Sequence, residues 1–335
     1  MKKTTSALAI AALLGTGAAS AATFQVDDQT SLTIAGDVEF IYLDQNDDVG
    51  TSSTEISDSG SEISFRGSHT SDNGLTSFFR YGIEGFDVTA DSGTLDEDSV
   101  GVLGLSGNFG TVSFGSQTNS YEAIADVTDI MEDAAVGGRG VGEQDQLLQY
   151  QSPQIGDLSF VADVAIQTSD EKTAGEDSSS FSARVNYELG DVTVMAGYNQ
   201  RKNLGDEGDA TSDPRYGVGV AFNLNGIDIA AKYDVATDDN ANEEFSAFGV
   251  TASQSFGDVS VYGVVNFLNY DQEPTLDSED VTGADVVEED DSFTQFGVGA
   301  SYAVTGNLYT FAEASFLDRA DDAGDAMAVG AVLKF

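Results

Sequence analysis

The chain has 335 residues, with 58 acidic and 13 basic side chains and a formal net charge of −45 at neutral pH. Charge of that sign and size excludes nucleic acid as a partner and capture of anionic substrates at the outer surface, because like charges repel. There is no cysteine, so no disulfide holds the fold, while 20 Phe and 12 Tyr argue against the disorder that an acidic chain of slightly negative mean hydropathy would otherwise suggest.

Residues 1–21 read as a secretory signal peptide. Lys2 and Lys3 form a basic start, Ala7–Leu14 an apolar run, and Ala19-Ser20-Ala21 a small-residue cleavage site, with cleavage after Ala22 as the alternative. The apolar run is far shorter than the ~20 residues of a spanning helix. Residues 22–335 form a single domain on this reading. One phrase recurs along it: FGTVSF (109–114), IGDLSF (155–160), LGDVTV (189–194) and FGDVSV (256–261), with looser copies NGIDIA (225–230) and TGNLYT (305–310). Gly beside Asp, Asn or Thr suits a tight turn, and the alternation after it signals a strand with two unlike faces. The connections between these turns are long and acidic, at 45–60, 89–98, 169–179, 201–214 and 271–291. In chain order the spacing predicts sixteen strands: 30–43, 61–69, 75–88, 98–106, 110–117, 146–153, 157–168, 179–189, 191–200, 215–224, 227–237, 243–254, 257–270, 291–303, 307–317 and 326–335.

The faces differ in kind. Leu75, Phe79, Tyr81 and Ile83 oppose Arg80 and Glu84; Val192, Val194, Ala196 and Tyr198 oppose Thr193 and Asn199; Ile227, Ile229, Ala231 and Tyr233 oppose Asp228 and Lys232. Strand 307–317 is ambiguous by this test. Strands in a soluble sandwich are typically five or six residues, whereas these reach the roughly 9–11 residues of a tilted spanning strand. An even strand number, tight turns at one end and long loops at the other are the pattern of an outer-membrane barrel, apolar toward lipid and polar toward a water-filled lumen. The fold class is therefore all-β, an antiparallel transmembrane barrel of sixteen strands whose closure satisfies the backbone without crosslinks.

The chain resembles the Gram-negative general porins, which are trimeric sixteen-stranded barrels. The resemblance is carried by ISFRGSHTSDNGLTSFFRY (63–81), VGVLGLSGNFGTVSFGSQ (100–117), LLQYQSP (147–153) and the terminal AVGAVLKF, in that order. It implies that the third long loop, within 118–145, folds into the barrel and narrows it. The segment YEAIADVTDIMED (121–133) is similar to that loop, with carboxylates Glu122, Asp126, Asp129, Glu132 and Asp133; Thr128-Asp129-Ile130 and Glu132 match positions where members of the family carry constriction carboxylates. The plain alternative is a solvated acidic loop. On the facing wall the family places basic residues where this chain has Asp37, Glu62, Ser99 and Glu143. The expected lumen wall is thus Asp37, Glu39, Glu62, Arg66, Arg80 and Glu84, with Arg66 and Arg80 inward by parity and either paired with Glu62 and Glu84 or free to screen solutes. Arg139 in the loop is a further candidate cation.

The implied function is passive diffusion of small hydrophilic solutes and ions, with cation preference because acids replace much of the basic wall. A substrate-specific channel is the alternative, and a barrel enzyme a remote one. His69, the one histidine, ends the second strand beside the tight turn 71–74, away from the outer-face sites of barrel enzymes, and no cysteine nucleophile exists. No metal or other cofactor is expected. DQNDD (44–48) and DDNAN (238–242) lack the glycine and distal glutamate of a calcium loop, and GGRGVG (137–142) lacks the strand–loop–helix setting of a phosphate loop. The acidic outer loops suit either a saline habitat or divalent bridging to lipopolysaccharide. Expected partners are outer-membrane lipids and lipopolysaccharide, two further copies in a homotrimer, and the barrel-assembly machinery. Met327, Val329, Ala331, Leu333 and Phe335 share one face of the last strand, which closes against the first near residues 30–36. The resemblance makes Phe335 the assembly signal, with Leu333 where many relatives have Tyr. The chain is expected in the outer membrane of a Gram-negative bacterium with both termini in the periplasm.

Overall fold

The computed structural model describes residues 21–46, 52–58, 60–84, 99–134, 143–167, 178–204, 210–238, 243–270, 292–318 and 324–335. The basic start and apolar run of the signal peptide, Arg139 with GGRGVG, and the acidic stretch 271–291 lie outside the described residues.

The strand segments are β1 (Ala22–Gln25), β2 (Thr30–Asn46), β3 (Ser52–Ser57), β4 (Glu62–Thr70), β5 (Thr76–Glu84), β6 (Ser99–Gly107), β7 (Gly110–Thr118), β8 (Glu143–Gln151) and β9 (Leu158–Gln167), followed by β10 (Ser178–Leu189), β11 (Val192–Leu204), β12 (Ala210–Leu224), β13 (Ile227–Asp238), β14 (Glu243–Phe256), β15 (Val259–Tyr270), β16 (Ser292–Ala303), β17 (Leu308–Leu317) and β18 (Ala326–Lys334). From β4 to β18 each segment pairs antiparallel with the next. The segments make a closed barrel of sixteen strands, because β3 and β4 are two parts of one and β1 and β18 occupy the same edge of β2. β4 lies along the first half of β2, from Thr30↔His69 to Asp37↔Glu62, and β3 along its last part, from Ile41↔Ser57 to Asn46↔Ser52. At the break Asp58 Oδ1 accepts the N–H groups of Gly60 and Ser61 at 3.1 and 2.8 Å, and Ser61 Oγ accepts the N–H of Glu39 at 2.9 Å. The side chains replace ladder bonds that the interruption removes.

β3 corrects the reading of 45–60 as one long loop. Its sequence, SSTEIS, carries little apolar alternation, and all but its last residue are exposed. It is a strand because β2 runs on to Asn46 and offers it an edge. β11 and β12 likewise pair as far as Leu204↔Ala210, shortening the connection read as 201–214.

Closure occurs on the other edge of β2. β18 pairs with it from Ala326↔Gln45 to Lys334↔Asp37, and Phe335 then exchanges both backbone hydrogen bonds with Gly36, each 2.8 Å. Below that point β1 continues the same edge, from Ala22↔Ile34 to Gln25↔Ser31. The tight turns are the recurring phrases. Asn225-Gly226, for example, sits at φ 56° and 88° between β12 and β13, the paired positive dihedrals that match the twist of a two-residue hairpin.

Period-2 burial follows the sequence pattern. On β16 exposed and buried positions alternate, with Phe296 and Val298 outward at 49% and 57% exposure. β17 was ambiguous and is now assigned: Tyr309, Phe311, Glu313 and Ser315 are buried toward the inside, and Ala312 and Phe316 face out. Leu333 and Phe335 lie on the outward, exposed face of the last strand, as expected. His69 Nδ1 lies 2.9 Å from Thr30 Oγ1 at the rim of the tight turns.

A Cβ on Gly36 would stand 2.4 Å from the Glu62 carbonyl and 2.8 Å from the Phe335 ring, so the seam requires glycine there. Gly36→Val should sharply reduce the folded fraction, read as loss of the compact band in unheated gel electrophoresis. Gly306→Ala, with nothing within 4 Å, should leave that band unchanged.

Candidate functional site

The connection between β7 and β8 is described as far as Ala134, and it is built into the wall. Asn119 Oδ1 accepts the N–H groups of Tyr121 and Glu122 at 2.8 and 3.2 Å, in the turn that leads into a short helix, α1 (Glu122–Ala125), which runs into a 3-10 turn at Asp126–Thr128. Ser120 N donates to Asp163 on β9 at 2.7 Å.

The helix lies against β11, β12 and β13, and the 3-10 turn against β12, β13 and β14. Inward glycines make room for it. A Cβ on Gly197 would meet Ile124 at 2.5 Å, one on Gly217 the Tyr121 hydroxyl at 2.4 Å, and one on Gly249 the Thr128 hydroxyl at 2.8 Å. Tyr121, fully buried, donates its hydroxyl to Asp234 on β13. Arg215 of β12 grips the same carboxylate, its Nε 2.9 and 3.0 Å from the two oxygens, and its guanidinium carbon stands 5.2 Å from the centre of the Tyr121 ring. Lys232 Nζ donates to the Ala125 carbonyl. An arginine, a carboxylate and a phenol that each complete another's bonding can stay buried where a lone charge could not.

The other end of the segment is held by Glu313 of β17. Its carboxylate accepts three consecutive backbone N–H groups, from Glu132 at 2.8 Å, Asp133 at 3.0 Å and Ala134 at 3.1 Å, and also the Tyr262 hydroxyl at 2.7 Å. Tyr309 donates to Glu132 Oε1 at 2.9 Å. Ala134 packs with Ile41, Leu43, Phe311 and Val332, and Met131 joins that cluster. Residues 119–134 therefore touch β9, the β11–β14 arc, and the arc formed by β17, β18 and β2.

The five loop carboxylates occupy three settings. Glu122 is buried at the start of α1, Asp126 and Asp129 have exposed side chains, and Glu132 and Asp133 are half-buried beside Glu313. Asp126 stands in a space crowded by protein. Partial desolvation, with the Glu122 and Asp129 charges beside it, pushes its carboxyl up to about 7 against the pull of Lys232. Desolvation also raises Asp129 and Glu132, opposed by Lys232 in the first case and by the Tyr309 hydrogen bond in the second.

The six predicted wall residues come together on β2, β4 and β5. Glu62 is the register partner of both Asp37 and Glu84, and Arg66 is that of Arg80. Arg80 lies 3.6 Å from Glu62, whereas Arg66 is exposed and makes no ion pair among the described residues. Glu39 follows Asp37 on the same face, one pair nearer Asp133. Sequence reasoning missed Arg184, Arg215, Lys232 and Lys334 as wall cations, and Glu313 as the loop's anchor. Parity gives each its face, but nothing in parity tells how high on the barrel a residue stands. Among the described residues no cluster of three or more acidic or histidine side chains is arranged to hold a metal ion.

Hydrogen bonds to a charged acceptor contribute roughly 1.5–3 kcal/mol each. Glu313→Ala should therefore expose the amides of residues 132–134 to exchange at least tenfold faster, measured by hydrogen–deuterium exchange, while those of β12 and β13 keep their protection.

The model of the Gram-negative porin family matches residues 4–322. A curated relative from Halomonas sp, named "Monosaccharide porin", is 29% identical over 373 residues, with 100% of each chain covered. Among solved structures, an anion-selective porin from Comamonas acidovorans superposes with a TM-score of 0.70 at 18% identity, covering 92% of this chain and 100% of that one. A trimer form of the outer membrane protein OmpT of Vibrio cholerae does so with a TM-score of 0.64 at 15% identity, again over 92% and 100%. At such identities the structural likeness speaks for the fold, and the family match covers most of the chain. This chain belongs to the Gram-negative porin family, outer-membrane channels rather than enzymes.

Proposed function

We propose that the chain is a passive diffusion channel for small hydrophilic solutes and ions, that the segment beginning at residue 118 folds into the lumen as its constriction, and that the channel prefers cations. The observation that carries this is the double attachment of residues 119–134, to Asp234, Arg215 and Lys232 at one end and to Glu313 at the other. A segment leaving β7 and fixed by inward side chains of both arcs supports a path on the inside of the barrel. It carries the exposed carboxylates of Asp126 and Asp129 with it.

The sign of the field follows from which charges remain uncompensated. Arg215 is bound to Asp234, Lys232 reaches into the loop backbone, and Arg80 faces Glu62. Arg66, Arg184 and Lys334 make no ion pair, but Asp37, Asp126, Asp129, Glu132 and Glu313 have none either among the described residues, and this excess of acids supports a negative lining.

The name of the Halomonas relative raises sugar specificity as a second reading. Sugar channels offer aromatic faces to the solute. Here Tyr262, Tyr309 and Phe311, the inward aromatics beside the loop's tail, are only 4%, 6% and 3% exposed, which favours diffusion.

The same proposal includes a signal peptide over residues 1–21, periplasmic termini, a homotrimer like the trimer form of the Vibrio protein, contact with lipopolysaccharide, and Leu333 with Phe335 as the assembly signal. Periplasmic termini are supported by the pairing of Phe335 with Gly36 in the first half of β2, toward the end of the barrel that carries the tight turns.

Reversal potential in a KCl gradient across a planar bilayer should show a cation-selective pore; an anion-selective or non-conducting one would sink the proposal. Asp129→Asn combined with Glu132→Gln should lower the K+/Cl− permeability ratio about two- to fourfold, the scale of removing charges a few ångströms from an ion in a water-rich passage. Because Asp126 is raised to about 7, it is ionised above that pH and neutral below it. The ratio should therefore fall between pH 8 and pH 6, and Asp126→Asn should remove most of that dependence.

A further inference from the structure

Lys334, like Arg66 and Arg184, makes no ion pair among the described residues, but it is the one held over the ring of Tyr309, beside the tail of the loop. It is half-buried and lies on the inward face of β18, next to Val332, which is 1% exposed. No carboxylate lies within ion-pair distance of it among the described residues. Its ammonium is held 5.2 Å from the centre of the Tyr309 ring, and Tyr309 is the residue whose hydroxyl binds Glu132. A ring face holds a cation without neutralising it. Its backbone N–H is fixed at 2.8 Å to Asn307 O in the tight turn before β17, and its register partner is Asp37. The ammonium thus stands between the acidic tail of the loop and the rim of the tight turns, with Asp37, Glu39 and Glu132 all within its electrostatic reach.

We infer that Lys334 is a selectivity-determining residue of the channel, a fixed positive charge on the exit side of the constriction that limits the preference for cations. The position where the resemblance implied a basic residue on β2 holds Asp37. The charge is supplied instead from across the seam, by the register partner of Asp37 on the last strand. A cation that has passed Asp129 and Glu132 meets repulsion there, and an anion entering from the tight-turn rim meets attraction before it reaches the loop.

The inference rests on the proposed channel, and the test separates the two. Because the natural chain has no cysteine, Lys334→Cys places a single thiol that can be modified in the assembled barrel. Reversal potentials in a KCl gradient would be recorded for wild type, K334R, K334Q and Lys334→Cys, the last before and after a positively or negatively charged methanethiosulfonate. A unit charge about 10 Å from the ion path in a water-rich lumen corresponds to roughly a twofold change in permeability ratio. K334Q and unmodified Lys334→Cys should raise the K+/Cl− ratio by about that factor. K334R and the positive reagent should hold or restore the wild-type value, and the negative reagent should raise the ratio further. Modification of a channel already conducting makes the result independent of any effect of the substitution on folding or assembly. An unchanged ratio across all of these overturns the role of Lys334, whatever the wild-type selectivity. A wild-type pore that prefers anions overturns the cation reading, while a shift toward cations in K334Q would still uphold Lys334.

Discussion

The structure depends on one constraint: in a hydrocarbon layer every backbone N–H and C=O must find its partner within the protein. A sheet meets that demand only if it has no edge, and here the edge is removed where β18 and Phe335 join β2. That seam explains why a chain without cysteine is held together, and why its end is an alternating apolar strand rather than a polar tail. It also explains how a chain of slightly negative mean hydropathy spans a membrane: closure satisfies the backbone, so only alternate side chains have to be apolar. The remaining half of each strand is free to be polar. The glycine at position 36, caught between the Glu62 carbonyl and the Phe335 ring, shows how closely the two ends are fitted.

The inner half is where polar chemistry accumulates, and much of it serves attachment. Asp234, Arg215 and Tyr121 complete one another's bonds; Glu313 takes three successive amides and a tyrosine hydroxyl. Each group would be costly to bury alone, because an unpaired charge in a protein-lined space loses its hydration without recompense. Together they fix residues 119–134 to two arcs of the wall. The tether also spends cations. Arg215 and Lys232 face inward, yet their charges are committed to Asp234 and to the helix end, and Asp126 and Asp129 are left with no ion pair among the described residues.

The fold was legible because a barrel writes itself in period 2. Strands such as 227–237 and 257–270 were read to within a residue or two, since the Asn-Gly and Gly-Asp turns mark where they begin and alternation marks their extent. The element that escaped, β3, has no such signature: SSTEIS becomes a strand only because β2 extends far enough to pair with it. The short helix α1 escaped for a related reason, since one turn of helix depends on the Asn119 turn before it and the groove of inward glycines rather than on its own sequence. The site was less legible. The resemblance directed attention to Asp37, Glu62, Ser99 and Glu143, where basic residues were expected and not found. Wall bases stand instead on β4, β5, β10, β12, β13 and β18. Alternation showed that Lys232 faces away from the apolar side, but its height on the barrel and its bond to Ala125 arise only when a loop more than a hundred residues earlier is laid against it.

Architecture alone cannot set the sign of a porin's selectivity, because an anion-selective protein shares this fold. What differs between such channels is the set of charges left over after the structure has taken what it needs. In this chain the requirement is unusually lopsided. Basic residues are few, 13 against 58 acids, and the anchoring of one loop engages two of them. Acids used for anchoring, such as Glu313 and Asp163, are replaced many times over by others, whereas each cation drawn into a tether is a large loss to the lining. A lumen built under that imbalance tends toward a negative field unless a base is kept out of all pairing. Arg66, Arg184 and Lys334 are outside any ion pair among the described residues, and of these Lys334, held over the ring whose hydroxyl binds Glu132, is the one that stands at the loop's tail.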